Sequence, residues 1–125
     1  MDKVIHFEIP VDDMKRAEGF YKKVFGWNVE FVPEMNYILL RTTEIDEDKM
    51  PKEAGAINGG MIKRNDTIKN PVITINVENI KKALENIKKN GGNVVMEPFQ
   101  VGDMGLAAYF KDTEGNVLGI WQNLK

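Results

Sequence analysis

The hydrophobic positions of the chain change period several times, and those changes mark out its elements. From Val4 to Ile9 they alternate. Ile5, Phe7 and Ile9 share one side, while Val4, His6 and Glu8 share the other, which is the two-residue period of a strand. Pro10 is expected to close that strand, since it cannot donate to a ladder. Asp12 and Asp13 then offer helix caps, because their carboxylates can accept the free N–H groups of a first turn. Met14, Ala17, Tyr21, Val24 and Phe25 follow at helical spacing, which predicts a helix over about 13–25. Gly26 supplies the stop. Strand-like runs come next at about 28–32, 37–42 and 56–63, and the acidic stretch 44–53 reads as an exposed loop. The order is βαβββ.

The second half repeats it. Val72, Thr74 and Asn76 alternate with Ile73, Ile75 and Val77, and Glu78 and Asn79 can cap a helix over about 79–90. That helix carries Ile80, Ala83, Leu84 and Ile87 on one stripe and ends at Asn90-Gly91-Gly92. Strands are predicted at 94–96, 106–111 and 117–122, the last two joined by a turn over 112–116 in which Gly115 is free to take a positive φ. Val11 to Ala17 parallels Val77 to Ala83, 66 residues on. Two copies at so long a period indicate a duplicated module rather than a solenoid. Ile5, Phe7, Ile9, Leu84, Ile87, Phe110, Leu118 and Ile120 are the expected buried set.

At 125 residues the chain fits one domain over 1–125, with module one at about 1–64 and module two at about 70–125. An apolar fraction of 42% permits a packed core. There are no cysteines, so disulfide and thiolate chemistry are excluded and a cytoplasmic, reducing setting is expected. The net charge of -2 gives no reason to expect a nucleic-acid or anionic-membrane partner. The start Met1-Asp2-Lys3 and the early acidic residues do not read as a signal peptide, and no apolar run approaches the roughly 20 residues of a membrane span. Lys81, Lys82, Lys88 and Lys89 read as a solvated helix face. Gly59-Gly60 is no phosphate loop, lying inside a strand-like run with no helix after it.

Three segments carry a family resemblance. His6-Phe7-Glu8-Ile9-Pro10-Val11-Asp12-Asp13 opens the first module, and Phe20-Tyr21-Lys22-Lys23-Val24-Phe25-Gly26-Trp27 closes its helix. Near the end, Phe110-Lys111-Asp112-Thr113-Glu114-Gly115-Asn116-Val117 is similar to a Phe-x-Asp-Pro-x-Gly-Asn turn, with Thr113 in place of the proline. Together they resemble the vicinal oxygen chelate superfamily of glyoxalases, bleomycin-resistance proteins and dioxygenases. The resemblance implies an α+β fold in which two tandem βαβββ modules form a curved-sheet cleft, with helices on the outer faces. It places Ile5, Phe7, Ile9, Ile73, Ile75 and Val77 toward the helices. Val4, His6, Glu8, Val72, Thr74 and Asn76 then face the cleft.

Metal-dependent members place ligands on the first and last strands of each module. Those positions fall here at His6, Val72, a glycine of the Gly59-Gly60 pair, and Gly119. Of the four, only His6 can donate, whereas a catalytic divalent site needs about three protein ligands. Glu8 can join His6 from the same strand face, which still leaves two. No metal and no cofactor are therefore expected. His6 and Glu8 are the candidate catalytic residues, the carboxylate raising imidazole basicity so that His6 changes charge near neutral pH. The candidate ligand-binding residues are Thr74, Asn76, Tyr109 and Trp121. Three readings stay open: a metal-free protein that binds a small organic molecule, a metal-free lyase or isomerase acting on a small carbonyl compound, and a metal-dependent glyoxalase or dioxygenase with unconventional ligands. The resemblance also implies a homodimer, with Phe31, Met35, Met61, Met104 and Trp121 as candidate apolar contacts.

Overall fold

The computed structural model describes residues 1–124, the side chain of Glu34 excepted. Its element order is β1 (Val4–Val11), α1 (Met14–Phe25), β2 (Asn28–Val32), β3 (Tyr37–Arg41) and β4 (Gly59–Lys63), then β5 (Val72–Asn76), α2 (Ile80–Lys89), β6 (Asn93–Val101), β7 (Gly105–Lys111) and β8 (Val117–Asn123). This is α+β, with two tandem βαβββ modules. The chain groups into two compact units: residues 6–71, and residues 1–5 with 72–125. The first strand thus contributes to both, and the Lys3 carbonyl accepts from the Asn76 N–H at 2.8 Å in the second unit.

In the first unit the strands run in the order β2-β3-β4-β1, with β1 parallel to β4 and the other pairs antiparallel. Register decides the faces. Phe7 sits opposite Gly59, which is opposite Leu40; Glu8 sits opposite Gly60, which is opposite Leu39. One face therefore carries Phe7, Ile9, Val11, Ile38, Leu40 and Met61. These pack with Met14, Ala17 and Tyr21 of α1 into the core of this unit. The other face carries His6, Glu8, Tyr37, Leu39 and Gly60.

The second unit runs β5-β8-β7-β6, with β5 parallel to β8. Its core is Val77, Ile80, Leu84, Ala108, Phe110 and Ile120, joined by Ile75, Ala83, Ile87 and Leu118. All four residues of the predicted α2 stripe belong to it. Thr74, Gly119 and Tyr109 align across β5, β8 and β7 on the opposite face, followed by Asn76, Trp121 and Ala107.

The helix ends follow the sequence. The Asp13 carboxylate accepts from the Arg16 N–H at 2.9 Å, and the Asn79 side chain accepts from the Lys82 N–H at 3.0 Å. Gly26 takes the left-handed conformation, φ 71°, that lets its N–H close back on the Lys22 carbonyl. In the turn after β7, Asp112 accepts from the N–H groups of Glu114 and Asn116 and from the Asn116 side chain. Those bonds hold its carboxyl below the usual range.

Several expectations change. Pro10 does not end β1, which continues through Pro10, opposite Ile62, to Val11; a proline costs a ladder only the bond its own N–H would make. The strand expected at 94–96 extends to Val101, because two register shifts let it follow β7 despite Pro98. Val24 and Phe25, placed on a packed face by period, and Ile73, placed toward a helix by the resemblance, are exposed. Val24 and Phe25 lie in the last turn of α1. Ile5, Phe7, Ile9, Ile87 and Leu118 are only partly buried. Met61, expected as an interface contact, is wholly enclosed in the first core.

Candidate functional site

The polar face of the first unit holds a continuous hydrogen-bonded set. Glu8 is 7% exposed and sits on a strand whose other face is core. A buried carboxylate demands partners. The Tyr37 hydroxyl supplies one, donating to Glu8 Oε2 at 3.0 Å. The same phenol oxygen lies 2.8 Å from His6 Nε2. A phenol has one proton and this one is spent on Glu8, so the His6 nitrogen must carry the proton of the second bond. The order is then His6 Nε2–H to Tyr37 Oη–H to Glu8 Oε2, with the imidazole neutral.

Burial pushes the His6 imidazole down to about 4, because the charged form loses its water. This corrects the expected effect of Glu8. The two side chains are joined through Tyr37, and desolvation governs the imidazole, so His6 does not change charge near neutral pH.

Tyr37 was not singled out by sequence. It is placed by a tight link, a single 3-10 turn at Pro33–Met35 followed by Asn36 in the left-handed region at φ 47°. That link starts β3 at Tyr37, on the parity of Leu39 and Gly60. Gly60 completes the arrangement. A Cβ added there would overlap Oη, Cζ and Cε2 of Tyr37. The phenol thus occupies the volume that a side chain at position 60 would fill. A glycine inside a strand signals such close approach, and that was the available clue.

The second unit places its four candidates on one face. Thr74 and Tyr109 are buried and flank Gly119, where an added Cβ would meet Thr74 Oγ1 at 2.9 Å and Tyr109 Cε1 at 3.5 Å. Tyr109 stacks on Phe99 with centroids 6.4 Å apart. Asn76 and Trp121 are partly exposed, and Trp121 Nε1 donates to Asn123 Oδ1 at 2.7 Å. Val72, two residues before Thr74, is 1% exposed and apolar.

The glyoxalase/bleomycin resistance protein/dioxygenase superfamily model matches residues 3–120. The chain belongs to that superfamily. Among relatives, it is 30% identical to a glyoxylase-like domain-containing protein of Didymella fabae, covering 90% of this chain and 88% of that protein. It is likewise 30% identical to a lactoylglutathione lyase of Escherichia coli O157:H7, with 90% and 87% covered. Among solved structures, a Streptomyces coelicolor methylmalonyl-CoA epimerase in complex with 2-nitronate-propionyl-CoA superimposes with a TM-score of 0.68 at 15% identity, covering 98% of both chains. At that identity the likeness is one of fold.

Members of this superfamily that use a metal need a donor set, and the residues here do not fit one. His6 Nε2 and Glu8 Oε2 are both engaged by the Tyr37 hydroxyl. Gly60 leaves no room for a ligand side chain while Tyr37 is in place. Among the described residues no three His, Cys, Asp or Glu side chains group to hold an ion. Nor, among those residues, is any helix long and apolar enough to cross a membrane.

Proposed function

We propose that this chain binds a small organic molecule without a metal ion. The observation that carries the reading is the Tyr37 phenol, which engages both His6 and Glu8, the two candidate donors of the first module, and fills the side-chain space at Gly60. His6, Tyr37 and Glu8 supply polar contacts on one strand face. On the matching face of the second module we assign Thr74, Asn76, Tyr109 and Trp121 to ligand contact, as few polar groups among aromatic ones suit a small-molecule site. A relative named as a lactoylglutathione lyase points to the same ligand scale.

A second reading has an observation of its own. The unbroken hydrogen-bond order from His6 through Tyr37 to Glu8 can pass a proton, which supports metal-free lyase or isomerase chemistry on a small carbonyl compound. Fold alone chooses neither. A homodimer in the cytoplasm completes the proposal, with Phe31 and Met104 as exposed apolar contacts.

The test is a thermal-shift screen of small metabolites, run with divalent ions and with chelator. Stabilisation that is equal in both conditions and lost in His6→Ala is expected. Stabilisation that requires an ion would overturn the proposal. Hits are then assayed for turnover, which separates binding from catalysis, and sedimentation of the same samples reads the assembly.

A further inference from the structure

We infer that Tyr37 is the specificity-determining residue of the first-module face: by holding His6 as the Nε2–H tautomer, it turns His6 Nδ1 into an acceptor for a neutral hydroxyl or amide N–H of the ligand. The inference rests on reading this face as a ligand site, and it adds the chemical class that the site takes.

Three observations carry it. First, the tautomer is fixed by proton count. Glu8 Oε2 takes the only phenol proton, so Tyr37 Oη can receive only from Nε2–H. Second, the remaining ring nitrogen has no proton and an open lone pair. His6 hydrogen-bonds through Nε2, and no buried side-chain nitrogen or oxygen among the described residues goes without a partner, so Nδ1 opens to solvent. Third, the arrangement is over-determined. Gly60 admits the phenol by having no Cβ, Glu8 is held by the core-backed strand β1, and Asn36 sets where β3 begins. Rotation of Tyr37 away would give up its hydrogen bonds to both His6 and Glu8.

The ligand class follows. A neutral imidazole nitrogen acceptor attracts a hydrogen-bond donor. It repels the lone pairs of a carboxylate or phosphate oxygen, and the Glu8 carboxylate one phenol away disfavours anions further. Burial reinforces this by keeping the ring uncharged across the neutral range.

His6 is the sole histidine, so its two ring nitrogens can be read without assignment in a nitrogen-15 NMR experiment on the intact chain. Wild type should show the Nε2–H tautomer alone. Tyr37→Phe removes only the hydroxyl and should give a mixture of both tautomers. Gly60→Ala displaces the ring without removing the hydroxyl and should give the same mixture. To separate a positioning effect from misfolding, Gly60→Ala is repeated in a Tyr37→Leu background. There its lowering of Tm should largely disappear, because no ring remains to be displaced.

The probes are hydroxyacetone with methoxyacetone, acetamide with N,N-dimethylacetamide, and acetate. Saturable shifts of the His6 ring nitrogens with hydroxyacetone and acetamide, and none with the capped partners or acetate, are expected. An Nδ1–H tautomer in wild type, or a tautomer unmoved by Tyr37→Phe, would overturn the role of Tyr37. Equal responses within each pair, or no response to any probe, would overturn the ligand class. The metabolite screen described above stands apart from both, since it reads stabilisation and ion dependence rather than the ring nitrogens.

Discussion

The two modules share a register and differ in what they hang on it. Glu8 and Thr74 lie 66 residues apart, and each faces a glycine on the last strand of its own module, Gly60 and Gly119. Two residues earlier the pair is His6 and Val72. One is hydrogen-bonded and partly exposed; the other is apolar and almost fully enclosed. The helix-facing sides tell the opposite story, with aliphatic and aromatic residues at matching positions in both cores. The helix-facing side is constrained in both copies by packing, where a lost methylene is felt. The other face is also buried at Glu8, Val72, Thr74 and Tyr109, but its chemistry differs between the copies: one keeps a His–Tyr–Glu chain while the other keeps a buried threonine and tyrosine.

The helices differ too. Ile80 and Leu84 of α2 are buried, whereas α1 buries no residue fully and leaves Phe20, Val24 and Phe25 exposed. The first module compensates with rings: Tyr21 stacks on Trp27 at 5.0 Å, and Trp27 reaches Phe7 at 5.8 Å. The comparison breaks most sharply under truncation. Ile80→Ala should cost about 2–4 kcal/mol, since it opens a cavity among residues that cannot all collapse. Val24→Ala, at a site more than half exposed, should stay within roughly 0.5 kcal/mol. Urea unfolding of the two variants reads both values. Equal losses would mean that α1 is covered in solution by something that buries Val24.

Acidity should sharpen the contrast between His6 and Val72. The folded imidazole titrates at about 4 and the unfolded one near 6.5. Between those values the unfolded chain binds the proton that the folded chain refuses. Stability contributed by a neutral His6 is therefore whole above about pH 6.5, declines as the pH falls, and is gone below about 4. The partial exposure of the ring limits the total to at most about 2–3 kcal/mol. Denaturant midpoints measured down this window should fall in wild type and stay flatter in His6→Gln. A flat wild-type profile would show that the imidazole keeps its water.

The elements were legible because each rests on a local signal. Met14, Ala17 and Tyr21 carry a helical period, Asp13 and Asn79 cap, and Gly26 and Gly115 stand where φ is positive. His6 and Glu8 were also legible as a polar pair on one strand face. Tyr37 was not, because its role depends on the pairing of β3 with β4, a contact between residues about twenty apart that no period encodes. Gly60 pointed to it only as an unexplained strand glycine. The exposure of Val24 and Phe25 was missed for a related reason: period assigns a face, but not how far a neighbouring element reaches along it. The His6 shift was misjudged in sign because a nearby carboxylate was weighed and burial, which depends on the fold, was not.

The smallest expected effect probes what the modules hold in common. Both helices start on a side chain that accepts from the N–H three residues on, Asp13 from Arg16 at 2.9 Å and Asn79 from Lys82 at 3.0 Å. Both caps sit in extended backbone with similar φ and ψ, and neither helix has an acidic residue in its first turn to share the role. Asp13→Ala and Asn79→Ala should therefore each cost about 1 kcal/mol. The difference between them is electrostatic. Asp13 brings a full negative charge to the positive end of the α1 dipole, which adds a few tenths of a kcal/mol at low ionic strength and is screened by salt. The loss in Asp13→Ala should shrink toward that of Asn79→Ala as sodium chloride is raised, while the Asn79→Ala loss stays constant. A salt-dependent Asn79→Ala loss, or a salt-independent Asp13→Ala loss, would show that neighbouring charges rather than the cap itself decide how each helix begins.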